Sequence, residues 1–247
     1  MNYNYKIKIE YLGEGFVGWQ IQKNGKSIQN AIEKAIFKVI KKKIRINGSG
    51  RTDAGVNAIE QCANFYSEKK IKNKSQFIQS INFFLNEDPI SIKSLEEKNL
   101  NFHARFSAKK RQYEYIIVNR SSKLVIDKNR SWLVRKLLNL EKMKKAAKYL
   151  LGTHNFSTFR SSTCSAKSPI KKINKFNIKK VDEKIIFMVE SKSFLQTQVR
   201  SMVGCLKYVG ENKWKPEKIK EIIKLKNRKF CAPPAPAQGL YLKKVFY

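Results

Sequence analysis

One short stretch brings together the residue types that nucleophilic chemistry needs: Gly48-Ser49-Gly50-Arg51-Thr52-Asp53-Ala54-Gly55-Val56. Three glycines around one arginine and one aspartate give a backbone free to adopt positive φ and to approach a ligand closely. A carboxylate in a turn beside a guanidinium stays ionised, the state an attacking nucleophile needs. The same residues also describe a hairpin turn with a solvated ion pair, and pattern alone leaves both readings open. Metal chemistry has less to stand on. Cys62, Cys164, Cys205 and Cys231 form no C-x-x-C pair, and with only His103 and His154 besides, zinc-ligand spacing is absent. Free thiols in a reducing compartment are expected, with neither a structural metal nor a disulfide framework.

Any such site has to be carried by a substantial core. At 247 residues, 42% of them apolar and 11% aromatic, the chain is globular, and its length suits one large domain or two small ones. Apolar runs such as Ile185-Ile186-Phe187-Met188-Val189 are too short to cross a bilayer, and the N-terminus alternates Lys with Ile without an apolar leader, so a cytoplasmic protein is expected. The charge is extreme: 52 Lys and Arg against 19 Asp and Glu, a formal +33. A bias towards Lys, Ile and Asn together fits an AT-rich genome, yet acidic residues were free to balance the lysines. Such an excess attracts polyanions, which makes nucleic acid the expected partner and a membrane surface the second choice.

The elements that must position the site follow from periodicity. Tyr5, Ile7, Ile9 and Tyr11 alternate with charged residues, which predicts a half-buried strand. Ser27 caps a helix whose apolar set, Ile28, Ala31, Ile32, Ala35, Ile36, Val39 and Ile40, has helical spacing. Strands are expected at 44–47 and 58–66 on either side of the glycine-rich loop, then a helix over 74–85 and a strand over 90–95. The pattern then begins again: a strand over 112–118, a helix over 140–151, paired strands over 170–180 and 184–191, helices over 194–209 and 216–225, and a closing strand over 240–247. The three prolines between Cys231 and Gly239 make an irregular loop. Strands and helices mixed in two similar halves predict an α+β fold with mainly antiparallel sheets, divided as 1–105 and 106–247.

The glycine-rich stretch resembles the active-site motif of the TruA tRNA pseudouridine synthases, whose aspartate is catalytic. Tyr11-Leu12-Gly13, with Phe16 and Gly18-Trp19-Gln20, is similar to that family's opening motif, and Ser27-Ile28-Gln29 to the start of its next helix. Phe102 to Ala108, then Arg111, Tyr113 and Tyr115, resemble its central motif. Leu151-Gly152 with His154 and Phe156, Phe194-Leu195 with Val199-Arg200 and Val203-Gly204, and Ala235-Pro236-Ala237 with Gly239 to Leu242 complete a series that runs in order over nearly the whole chain.

The resemblance implies two ferredoxin-like subdomains with a catalytic cleft between them, and a homodimer that binds tRNA. It implies conversion of uridine to pseudouridine at positions 38 to 40 of the anticodon stem-loop, without metal or organic cofactor. Asp53 then acts at the ribose as the nucleophile. Tyr113 offers a ring for the flipped base and a hydroxyl near the C5 proton; Arg200 is expected to pair with the catalytic aspartate. Arg51 is expected to fill the gap left by the flipped base or to bind phosphate, and Trp19 and Gln20 to touch RNA. Each has a plainer structural alternative: a strand tyrosine in the core, a basic helix position, a lone turn arginine, a loop tryptophan plugging the core. His103 and His154 are expected to be packed or hydrogen-bonded structural residues. The chain departs from the pattern at Asn57 and Gln238, where relatives usually carry His, and at Gln196-Thr197-Gln198. A basic RNA-binding protein without catalysis, such as a chaperone or assembly factor, is the alternative that composition alone favours.

Overall fold

The computed structural model describes residues 3–247. It divides into two compact units, residues 3–109 with 242–247, and residues 110–241. The fold is α+β with mostly antiparallel strands.

The first unit opens with β1 (Tyr3–Tyr11), followed by α1 (Ile28–Ile40), the short β2 (Asn47–Gly48), β3 (Asn57–Ser67), α2 (Lys74–Phe84) and β4 (Ile90–Lys98). β1 is central, antiparallel to β3 on one side and β4 on the other, with Ile7 opposite Ala63 and Leu95. Tyr5, Ile7 and Ile9 are fully buried, as are Ile28, Ile32 and Ile36 of α1. That helix starts where the serine predicts, the Ser27 side chain accepting from the Asn30 amide. The opposite face of β1 is covered too. There Asn4 and Asn64 bond each other, and the Asn64 side chain accepts from the Ala104 amide at 2.9 Å. This ties residues 99–104 onto the sheet.

The second unit contains β5 (Lys110–Asn119), β6 (Trp132–Val134), α3 (Leu140–Lys148), β7 (Gly152–Asn155), β8 (Ile170–Val181), β9 (Lys184–Ser191), α4 (Gln198–Gly210) and α5 (Lys218–Leu225). Its sheet runs β5-β9-β8-β7, all antiparallel, with β6 parallel to β5. Tyr115 and Ile117 of β5 face Phe187 and Ile185 of β9 in register, and all four are fully buried. The last strand, β10 (Leu240–Phe246), lies beside β3, which is why residues 242–247 group with the first unit although they were expected with the second half.

Three expected elements differ, two of them for identifiable physical causes. Residues 44–46 do not join a ladder, because the Ile46 amide is taken by the Glu33 carboxylate at 3.0 Å. α4 begins at Gln198 rather than Phe194: Thr197 is left-handed at φ 61°, and the Gln198 side chain reaches back to the Leu195 amide at 2.8 Å. α3 ends at Lys148, one turn before the expected stop.

Candidate active site

Asp53 sits in the loop that joins β2 to β3, and that loop is fixed from both sides. On the β3 side, the Ser49 amide donates to the Cys62 carbonyl at 2.7 Å and the Ser49 hydroxyl to Gln61 Oε1 at 2.6 Å. The amide group of Gln61 in turn donates to the Gly50 carbonyl at 2.9 Å. One fully buried glutamine therefore sets the geometry of the loop's first two residues. The Cys62 thiol beside it is pushed up to about 11 by its burial.

The opposite support comes from the segment that follows β1. The Tyr11 hydroxyl and the Thr52 hydroxyl bond at 2.8 Å in a buried setting, and the Trp19 amide donates to the Thr52 carbonyl at 3.1 Å. Thr52 is thus held by backbone and side chain immediately before Asp53. Two residues beyond Gly55, Asn57 Oδ1 accepts from the Gly13 amide at 2.8 Å. Between these anchors the Val56 amide closes a turn onto the Asp53 carbonyl at 3.1 Å. The approach is so close that only glycine fits at position 18. Its φ is +111°, and a Cβ there would lie 2.6 Å from the Thr52 carbonyl oxygen.

Held this way, the loop presents a half-buried Asp53 with an exposed Arg51 on one flank. Trp19, expected among the RNA contacts, is 3% exposed: its indole lies against Gly48 and its ring centroid 6.2 Å from that of Tyr11. Gln20 beside it is half-buried. The opening motif is therefore a support for the Asp53 loop, built from backbone contacts and one aromatic pair.

Tyr113 and Arg200 belong to the second unit. Tyr113 stands on β5 opposite Val189, 8% exposed, with Phe194 edge-on to it at 5.1 Å between centroids. Arg200 lies in the first turn of α4. Its Nε donates to the Ala235 carbonyl at 2.8 Å while the Ala235 amide donates to the Arg200 carbonyl at 2.9 Å. One turn later Gly204 lets the proline-rich loop reach the helix, since a Cβ there would lie 2.1 Å from the Pro233 carbonyl oxygen. The Tyr115 hydroxyl donates to the Pro236 carbonyl at 2.8 Å, and burial pushes that phenol far above its usual range. The loop thus fixes the orientation of Arg200. Beside that arginine, Thr197 Oγ1 and Gln198 Nε2 are buried with no hydrogen-bond partner among the described residues, an unfinished arrangement that native interiors seldom tolerate without a use.

His103 Nδ1 accepts from the Arg105 amide at 3.1 Å and His154 Nε2 donates to the Leu151 carbonyl at 2.7 Å, so both serve local structure. Cys205 and Cys231 are free thiols with sulfurs 3.4 Å apart, and the hydrogen bond between them together with burial pushes the Cys205 thiol well up. Among the described residues no group of three or more His, Cys, Asp or Glu is placed to hold a metal ion, and no helix is long and apolar enough to cross a membrane.

Sequence reasoning missed the residues that hold the loops. Gln61 is one of several polar residues in its strand, beside Asn57, Glu60 and Asn64, and the pattern did not single it out. Asn57 stood out as a departure from the usual residue at its place, and Tyr11 read as a strand residue heading the opening motif, with nothing to point to its bond with Thr52.

A family model described as tRNA pseudouridine synthase matches residues 7–107 and 146–247. The chain is 54% identical over 245 residues to tRNA pseudouridine synthase A of Pelagibacter ubique, covering 99% of this chain and 100% of that one. It is 42% identical to the Parvibaculum lavamentivorans protein of the same name, covering 98% of each chain. The Ehrlichia ruminantium protein of that name is 45% identical, covering 98% of this chain and 99% of its own. Among solved structures there is a distant likeness to the crystal structure of a Cbf5-Nop10-Gar1 complex. It covers 82% of this chain and 44% of that one at 10% identity and a TM-score of 0.36.

Proposed function

The chain belongs to the tRNA pseudouridine synthase family, and from that premise we propose that it modifies uridines at positions 38 to 40 of the anticodon stem-loop, with Asp53 as nucleophile. Membership of that family makes the protein an isomerase that forms pseudouridine in tRNA. The reaction breaks the bond from uracil N1 to ribose C1′, turns the base, and joins C5 to C1′. The C5 proton is lost and N1 gains one, so the product is an isomer and no cofactor is consumed.

The observation that carries the assignment to Asp53 is how its loop is held. Thr52 and Asn57 are each fixed by a buried side-chain hydrogen bond, at 2.8 Å, on either side of a half-buried carboxylate. Such pre-organisation suits an attack on one carbon, because the carboxylate loses little freedom on reaching its target. Arg51 fills the stack or holds phosphate, Gln20 contacts RNA, and Trp19 acts through the loop it supports. Tyr113 supplies the ring against the flipped base and a hydroxyl for the C5 proton. Arg200, held through Nε by the Ala235 carbonyl, is the basic residue this reading assigns to the catalytic carboxylate. A homodimer is part of the same reading, and sedimentation should give about twice the 28.8 kDa chain mass.

Mapping pseudouridine in tRNA from cells with and without this protein tests the target. Loss confined to positions 38 to 40 is expected; loss elsewhere would overturn that assignment while leaving the chemistry. For Tyr113, replacement by Phe should preserve tRNA affinity while product formation falls at least about tenfold, in the range that positioned acid–base groups contribute. Wild-type turnover in that variant would make Tyr113 purely structural.

A further inference from the structure

The positive charge is not spread evenly along the chain. Between Glu141 and Asp182 stand eleven Lys and Arg residues and not one Asp or Glu, so all 19 acidic residues lie outside this stretch. It includes α3, β7 and β8 of the second unit. Elsewhere lysines pair with nearby carboxylates, as Lys8 does with Glu60 and Lys93 with Glu10, at 3.2 and 3.0 Å. Lys144 and Lys145 borrow Glu141 and Glu217 from beyond the stretch. Lys148, Lys172, Lys179 and Lys180 make no ion pair among the described residues.

The fold gathers this charge along one edge. β7 pairs with β8 only over Ile170–Ile173, so the outer edge of β8 beyond that point has no ladder partner among the described residues. Along it Phe176 and Ile178 are buried, while Asn174, Lys175, Asn177, Lys179 and Lys180 are exposed. A groove of about 430 Å³ adjoins this edge, lined by Lys144, Lys148 and Lys179 together with Phe176, Ile178 and Met188. Ammonium groups suit phosphate oxygens, asparagine amides suit ribose hydroxyls, and an apolar wall suits the carbons of the sugar. A second copy of the chain is a poor occupant. Lysines on an exposed edge oppose strand addition, and two such stretches repel each other.

We propose that the α3–β8 groove and the adjoining edge of β8 form an RNA-backbone contact that adds tRNA affinity and takes no part in bond making. The proposal rests on the tRNA reading above and deepens it. The test replaces Lys148, Lys179 and Lys180 by Gln together and measures tRNA binding by the full-length protein over a range of salt. Each phosphate contact contributes about 0.7 to 0.9 to the slope of log affinity against log salt. The triple variant should therefore lose about 2 to 3 from that slope, and bind at least about tenfold more weakly at low salt. Its single-turnover rate at saturating tRNA should stay at the wild-type value, and a triple Lys→Arg variant should bind as the wild type does. Removing the acid-paired Lys8, Lys42 and Lys93 in the same way serves as the control for charge alone. An unchanged slope in the triple variant, or an equal loss in the control, would overturn the proposal. So would a change in sedimentation mass with tRNA binding intact, which would make the groove a protein contact. A wild type that makes no pseudouridine, yet loses RNA affinity through these lysines as described, would sink the catalytic reading and leave this one standing.

Discussion

Around Asp53 nearly every contact joins one atom to one partner. Thr52 is held by Tyr11 and Trp19, Ser49 by Gln61 and Cys62, and Asn57 holds Gly13. Along β8 the arrangement is the reverse: Lys172, Lys179 and Lys180 are exposed, make no ion pair among the described residues, and resemble one another. On the proposed reading the two regions differ because they serve different needs. Attack at a single carbon demands a carboxylate fixed to a fraction of an ångström, and only buried, directional hydrogen bonds deliver that. Holding a polyanion demands charge in the right neighbourhood, and flexible cations deliver it without fixed geometry. One region should therefore fail at single substitutions that the other absorbs.

The largest effect short of removing the carboxylate is expected from Gly18→Ala. A Cβ there meets the Thr52 carbonyl at 2.6 Å in a backbone with φ +111°, which should cost about 1–3 kcal/mol of stability and displace the loop. Turnover should fall by about 100-fold or more, since small misplacements are that costly in positioned chemistry. A folded variant with wild-type turnover would show that the loop tolerates movement. Tyr11→Phe is the milder version. It leaves the buried Thr52 hydroxyl without this partner and should lower stability by about 1–3 kcal/mol in urea unfolding, with turnover reduced less than in Gly18→Ala. The smallest effect belongs to β8. Lys179→Gln should change stability by less than about 0.5 kcal/mol and the salt slope of tRNA binding by less than about 1. A single lysine with an effect as large as that of Gly18 would erase the distinction.

The same difference governs how much could be read from the sequence. Period and capping are local properties, so β1, α1 with its Ser27 cap, and the β8–β9 hairpin follow from spacing alone. The Asp53 turn was legible because its glycines and its charged pair are contiguous. Its supports were not. Tyr11 and Thr52 are 41 residues apart and Gly13 and Asn57 are 44 apart, and alternation assigns faces of a strand without naming partners. β6 and β7, with three and four residues, are too short to show a period. The left-handed Thr197 that delays α4 is a conformation that helical spacing does not encode. Charge was visible as a total, whereas its concentration on one edge needed the pairing of β8 with β7 and β9.

The central claim is that Asp53 performs the chemistry while the basic surface only binds, and Asp53→Asn tests it most directly. The substitution keeps size and hydrogen-bonding capacity but removes the nucleophile and its charge, leaving the lysines untouched. A single-turnover assay on an anticodon stem-loop, with tRNA binding measured on the same preparation, separates the two functions. Essentially no pseudouridine with wild-type tRNA affinity is the predicted result. Pseudouridine formed by Asp53→Asn at the wild-type rate would contradict the account.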